Sequence, residues 1–586
     1  MKKIIGIGVL LFYLILVVYS QMARAEEPIQ PVEQLRSHKL LVLLVDFSDT
    51  KIQHSEQEWY KCIFGDGKSV NSFLRENSQN KFEFMPVREN YGIQNNGIIR
   101  VQINMENPYG DDVKEFLPSN EVAREAFYIA QKYIKEDMKE LDTNGNKKIE
   151  NNELHVCIII SNTLKSGESV YTETPHYTIR AAKEGLVINS IGVFDEISTN
   201  PQEMALYSIN LGPERLFSFG FTFQPEIFEG NIIQIGILAH EIGHSLGVPD
   251  LYDTSCNGEG IGVLSLMACG SHAKVDISGD TPVHFEAYSK SLLGFGEVVN
   301  ITSDGDYMVC STQTGKYNML WIPTGKPGSY ILVENRQLSG YDVGMKSLVG
   351  KEARGGVVLY LLDKNWDNNS EKNKLLTVIE ADEQIIGYSR HLTNTSLGRT
   401  EPFFPNWNGS INEYVDVDAG IRIKVNGPNS YYMSVNVSGI TPEKVQMSAK
   451  NAVRFDGGIF AVGSDIYNEN GYPIFYKGES YKTGVRIRSS GSAIFKVAYC
   501  IQYLANDDGW RTILEGIKSS KVMTYQAFIE DFKIPNDAKV GADNIRIKYK
   551  IISNTDIVIS DKDELNFSLD VSELMPQEIQ EEIIEE

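Results

Sequence analysis

A chain of 586 residues is longer than one domain needs, and 42% hydrophobic against 23% charged residues is the balance of a folded protein with material for several cores. A formal net charge of −23 repels phosphate backbones and anionic lipid, which argues against nucleic acid as a partner. After the first residues no stretch approaches the ~18 apolar residues that span a bilayer, so no integral membrane segment is expected in the mature chain.

In chain order, Lys2-Lys3, the apolar run Ile4 to Tyr19 and the small residues Ala23 and Ala25 around Arg24 have the layout of a secretory signal over residues 1–25. Export to the extracellular space is the expectation, followed by a short polar leader at 26–39. Leu40 to Phe47 is continuously apolar, as in a strand covered on both faces. Ser69 to Ser78 reads as a helix and Lys81 to Val87 as a strand. Between them, Asn80 is suited to a positive φ. From Asn120 to Leu141, apolar residues recur at helical spacing, and Leu154 to Ile160 forms another buried strand with His155 as a core histidine. Six cysteines (Cys62, Cys157, Cys256, Cys269, Cys310, Cys500) form no C-x-x-C pair; Cys256 and Cys269 are the first pair to test for a disulfide.

Between that helix and strand, residues 142–153 place Asp142, Asn144, Asn146 and Glu153 at loop positions 1, 3, 5 and 12, with the Lys148 carbonyl at position 7. The pattern is that of an EF-hand-type calcium loop, with Lys147 standing where glycine normally makes the bend. Short strands follow, including 187–194 and 217–223.

The chemistry is concentrated in Gly236 to Thr254. Asn231 to Ala239 is apolar at helical spacing, and His240-Glu241-Ile242-Gly243-His244 continues it. Histidines four apart on a helix project from one face, roughly 5–6 Å apart at Cβ, and two neutral imidazoles so placed can share a zinc ion. Gly247 is suited to end the helix in the left-handed region, and the returning chain offers Asp250 as a third ligand. Glu241 then lies where a general base must be to take a proton from a metal-activated water. Glu286 is the rival third ligand, and Tyr288 a candidate donor to a developing oxyanion.

GILAHEIGHSLGVPDLYDT, followed by GIGVLSLMACGSH, resembles the immune inhibitor A family of secreted bacterial zinc metallopeptidases. The resemblance runs from about Leu40 to Val437. It implies a zincin-like catalytic domain with an active-site helix; with the strand and turn spacing beyond it, which predicts β-sandwich-like C-terminal domains, the fold class is α+β. Met267 would be the methionine turn beneath the histidines. It also implies a zinc endopeptidase acting on protein or peptide substrates, and it favours the calcium loop.

The expected layout is a catalytic domain at 40–297, a β-rich domain packed on it at 298–437, a β-sandwich accessory domain at 443–571 and an acidic tail at 572–586. The alternative is a calcium-stabilised surface-binding or adhesion protein whose zinc site is vestigial. Intact chemistry at every motif position weighs against it.

Overall fold

The structure, a computed structural model, describes residues 36–108; 119–164 except 137, 144–147 and 150–152; 208–210; 216–218; 221–254; and 260–573 except 352, 367, 371–372, 382–401, 406–408, 410, 463–474, 521–522, 555 and 561. The signal at 1–25, the expected strand at 187–194 and Cys256 lie outside the described residues.

The first strand, β1 (Arg36–Asp46), is buried from Leu40 onward and lies inside a six-stranded sheet. It pairs in parallel with β2 (Phe82–Pro86) and β3 (Ile98–Gln102), and on its other side with β4 (Leu154–Leu164). Beyond β4 come β5 (Phe221–Phe228), parallel to it, and the short antiparallel β6 (Asn231–Ile232). The apolar run of β1 has a direct cause, because side chains of a strand alternate between faces and both faces are covered. Leu41, Leu43 and Val45 pack with Val122, Ala126 and Phe127 of helix α3 (Ser119–Ala130). Leu40, Val42 and Leu44 pack with Trp59 of α1 (Glu56–Phe64), Phe73 of α2 (Val70–Asn77), and Leu238 and Ile242 of α4 (Ile235–Ser245).

Local signals account for several boundaries. Serines 55 and 69 cap α1 and α2 through reciprocal capping boxes. Asn80 has the expected positive φ of 62°, and Gln79 shares it at 57°. Two helices are shorter than their periodicity predicts. α3 stops at Ala130, because the chain then pairs with residues 88–90 through Lys135 N–H to Arg88 O and Asn90 N–H to Tyr133 O. Helix α4 begins at Ile235, not near Asn231. Glu229 and Gly230, both at positive φ, form a two-residue hairpin turn that folds Asn231 and Ile232 back onto β5.

After α5 (Ala287–Leu293) the chain is β-rich. A second six-stranded sheet is built around β7 (Ser329–Arg336) and β8 (Gly356–Asp363), antiparallel to each other. Its two faces have different partners. Ile331, Val333, Val357 and Leu359 pack with Ile423, Val425 and Val435 of a four-stranded sheet. Leu332, Val358 and Tyr360 join the core that holds α4. Glu334 and Arg336, two and four residues after Leu332, share that inner face. A short helix, Pro442–Ala449, precedes two five-stranded sheets that enclose one core between Val453 and Val571. Among the described residues no helix is long and apolar enough to cross a membrane.

Candidate metal centre

Helix α4 is buried along its whole length, so its polar residues must be satisfied by partners or by an ion. Ser245 turns to the sheet, where its Oγ lies 2.9 Å from His155 Nδ1; His155 Nε2 is 3.0 Å from His38 Nδ1. The core role expected of His155 is therefore met. His240 and His244 face the other way, with ring centroids 4.9 Å apart.

The helix gives way at Leu246, and Gly247 takes φ 93°, as foreseen for the residue that turns the chain. Asp250 then comes back beneath the histidines. Its Oδ1 lies 3.3 Å from His240 Nε2 and 3.1 Å from His244 Nε2. These three are the one group of metal-type ligands found together among the described residues.

Tautomers decide what this convergence means. His240 Nδ1 donates to Leu266 O at 2.8 Å and His244 Nδ1 donates to Val248 O at 2.9 Å. With the proton on Nδ1, each neutral ring turns the Nε2 lone pair toward a carboxylate oxygen, so three acceptors face one another. A cation reconciles them. Ligand atoms at 2.0–2.1 Å from a tetrahedral zinc would be separated by about 3.3–3.4 Å, close to the distances present. The donor set of two imidazoles and one carboxylate also fits zinc, and backbone carbonyls behind both rings are the usual outer support.

Without a metal, a proton has to do the same work. Burial opposes charge on His244, but the Asp250 carboxylate outweighs it and pushes the ring up to about 9. Asp250 is held well below the usual carboxylate range: burial opposes its charge, and the His244 and His240 rings overcome that. A histidine raised in this way stabilises the fold fully below about pH 6.5 and loses its contribution as pH rises through about 9; Asp250 is ionised across that whole window. Metal-free protein should therefore lose melting temperature between pH 6.5 and 9, whereas zinc-loaded protein should not, since bound metal displaces the proton. Thermal scans in chelator and in zinc at both ends of the window would check this; a flat profile in chelator would refute it.

Glu241, next to His240, is 6% exposed. Burial raises its carboxyl, with the two histidines pulling it back and Asp250 adding to the rise. Met267 is fully buried below the helix, and a Cβ on Gly243 would meet its sulfur at 2.9 Å. Glycine at this position lets the motif settle on the methionine.

Glu286 is not in the ligand group. It caps α5 by accepting from Ser289 N–H at 2.6 Å and receives Ser265 Oγ–H at 2.5 Å. That serine begins the segment whose Leu266 carbonyl holds His240. Tyr288 is half-buried beside the same core, and His284 is tied to Glu76 and Asp342.

In the expected calcium loop, Glu153 accepts from Thr143 N–H at 2.7 Å and from its hydroxyl at 2.8 Å. Asn144 and Asn146 lie outside the described residues.

Three supporting residues escape a reading of the motif alone. Tyr252 donates to Asp250 Oδ2 at 3.2 Å and lies beside the His240 ring at 6.3 Å between centroids. Arg336, on β7, donates to Leu264 O and pairs with Asp342 at 2.6 Å. Asn369 reaches Leu251 O at 2.9 Å. Only Tyr252 lay within the motif, as an aromatic two positions after the carboxylate.

Comparison with known proteins points to the same segment. Residues 192–295 match the catalytic-domain model of the immune inhibitor A peptidase M6 family. Over 78 residues, 13% of this chain, it is 40% identical to Immune inhibitor A of Bacillus thuringiensis subsp. alesti. Over an equal length it is 38% identical to the Pre-pro-metalloprotease PrtV of Vibrio cholerae serotype O1 (strain M66-2). These matches cover 10% and 8% of the two relatives. Among solved structures, the CARDB domain of the PF1109 protein from Pyrococcus furiosus is 12% identical over 21% of this chain and 87% of that one. Its TM-score of 0.14 carries no structural argument. The family resemblance holds for the segment bearing the site.

Proposed function

We propose that this chain is a secreted zinc-dependent endopeptidase with a zincin-like active-site helix, its metal held by His240, His244 and Asp250 over a methionine turn at Met267. One observation carries the proposal: three buried acceptor atoms converge within 4.8 Å on one face of a helix, and the residue after the first histidine is a buried glutamate. Export is supported by the layout of residues 1–25.

When bound, zinc would lower the pKa of a water molecule and polarise a peptide carbonyl. The remaining chemistry belongs to the chain. Glu241, its carboxyl raised by burial toward working pH, takes the proton of the attacking water. It then delivers that proton to the departing amine, which a group with a strongly depressed pKa would do poorly. The Leu266 and Val248 carbonyls keep both rings in the tautomer that leaves Nε2 available. Tyr252 engages Oδ2 of Asp250 and so leaves Oδ1 to face the histidines.

The test is digestion of casein and gelatin by full-length protein. Cleavage should stop in 1,10-phenanthroline and return with stoichiometric zinc; cleavage that persists in metal-free protein would overturn the proposal.

A further inference from the structure

We propose that Asn369 is a positioning residue for the metal centre, holding the Asp250 arm from the connection between two strands of the second sheet, Gly356–Asp363 and Leu376–Ile379. This rests on Asp250 being a metal ligand, as proposed above. Asn369 is fully buried and every polar atom it has beyond its own N–H is engaged. Its Nδ2 donates to Leu251 O and to Leu376 O, both at 2.9 Å, and its Oδ1 accepts Leu376 N–H at 3.0 Å. Its backbone carbonyl accepts from Thr254 twice, from N–H at 3.0 Å and from the hydroxyl at 2.8 Å.

These bonds fall on the chain just after the ligand. The peptide joining Asp250 to Leu251 is fixed on one side by Leu251 N–H to Met267 O at 2.8 Å. The next peptide is fixed by Asn369 and by Ile261 N–H, which donates to Leu251 O at 3.0 Å. These two successive peptide planes flank Leu251, so they pin the chain immediately after Asp250 and anchor the Cα that carries the ligand. Among the described residues between Asp250 and Gly260 no helix or strand does this work, and cross-chain bonds hold the segment that carries the ligand.

Asn369 supplies three of them, one to Leu251 at a separation of 118 residues and two from Thr254 at a separation of 115. The chemistry is specific to an amide. A carboxylate there would face two carbonyl oxygens with no proton to offer, and an apolar side chain would leave buried Leu376 N–H without an acceptor. The same sheet braces the other arm, since Arg336 holds Leu264 two residues before the carbonyl that orients His240. The sheet is thus part of the metal centre rather than an appendage to it.

The experiment measures zinc affinity of the full-length protein by competition with a chromogenic chelator, with Asn369→Ala and Asn369→Ser each made alone and with Asp250→Ala. The cobalt-substituted visible spectrum is a second readout. Asn369→Ala should weaken zinc about 10–100-fold, the usual cost of losing an outer partner, and should alter the cobalt spectrum. Asn369→Ser, a milder truncation, should act in the same direction and keeps the test open if the alanine variant does not fold.

In the Asp250→Ala background, neither change should shift affinity by more than about two-fold, because the ligand they position is gone. Equal losses in both backgrounds would mean general destabilisation and overturn the inference, as would unchanged affinity and spectrum. If Asp250→Ala alone leaves zinc affinity intact, the ligand assignment itself falls, and this inference with it.

Discussion

Glu241→Gln is expected to keep zinc at wild-type stoichiometry while lowering kcat/KM on peptide substrates by about 10²–10⁴-fold, the range attributed to a positioned general base. The amide has the carboxylate's shape, so the buried position next to His240 should accept it without repacking. It cannot take a proton at neutral pH. Binding energy and the polarising metal would survive, so the loss should fall on kcat rather than KM. Metal analysis and steady-state kinetics on one preparation settle the matter. Retained zinc with lost turnover supports the assignment, and undiminished turnover rejects it. A loss of zinc together with turnover would show instead that Glu241 is needed to hold the site. The raised carboxyl adds a second check: wild-type kcat/KM should fall on the acid side as Glu241 takes up a proton, and that limb should be missing from the residual activity of the variant.

What could be read in advance from the residues was local in origin. His240 and His244 meet because four residues make about one helical turn, and Gly247 and Asp250 follow at fixed short spacing. β1 and β4 were legible because a strand buried on both faces needs apolar residues throughout. The start of α4 was misplaced because Ile232 and Ile233 suit helix and strand equally; the deciding signal was the Glu229-Gly230 turn just before them. The supports of the site outside residues 236–254 were not legible at all. Asn369 and Arg336 act through one amide and one guanidinium more than 70 residues from their targets, where no periodicity marks them. Their partners are main-chain carbonyls, and a carbonyl leaves no trace in residue identity. Glu286 shows the converse. A glutamate shortly after the motif invites assignment to the metal, yet the helix it starts needs a cap and Ser265 needs an acceptor. Both demands turn it away from the histidines.

Asp250→Ala and Glu286→Gln separate the two candidate ligands. Removing Asp250 should weaken zinc by more than the 10–100-fold expected from an outer partner, because two imidazoles alone leave half of a tetrahedral site to water. A thousand-fold loss would correspond to about 4 kcal/mol. Glu286→Gln should stay within the outer-partner range, since the amide oxygen can still accept from Ser289 N–H while its NH2 donates to a reoriented Ser265 hydroxyl. The two changes should also differ in metal-free protein. The carboxylate of Asp250 is what lifts His244 to about 9. Without it, burial is opposed only by Glu241 and the Val248 carbonyl, and the ring should titrate lower. Asp250→Ala should therefore lessen the fall in melting temperature between pH 6.5 and 9, whereas Glu286→Gln should preserve it. Competition titration with zinc and paired thermal scans measure both effects. Zinc affinity that survives Asp250→Ala and collapses in Glu286→Gln would reverse the assignment.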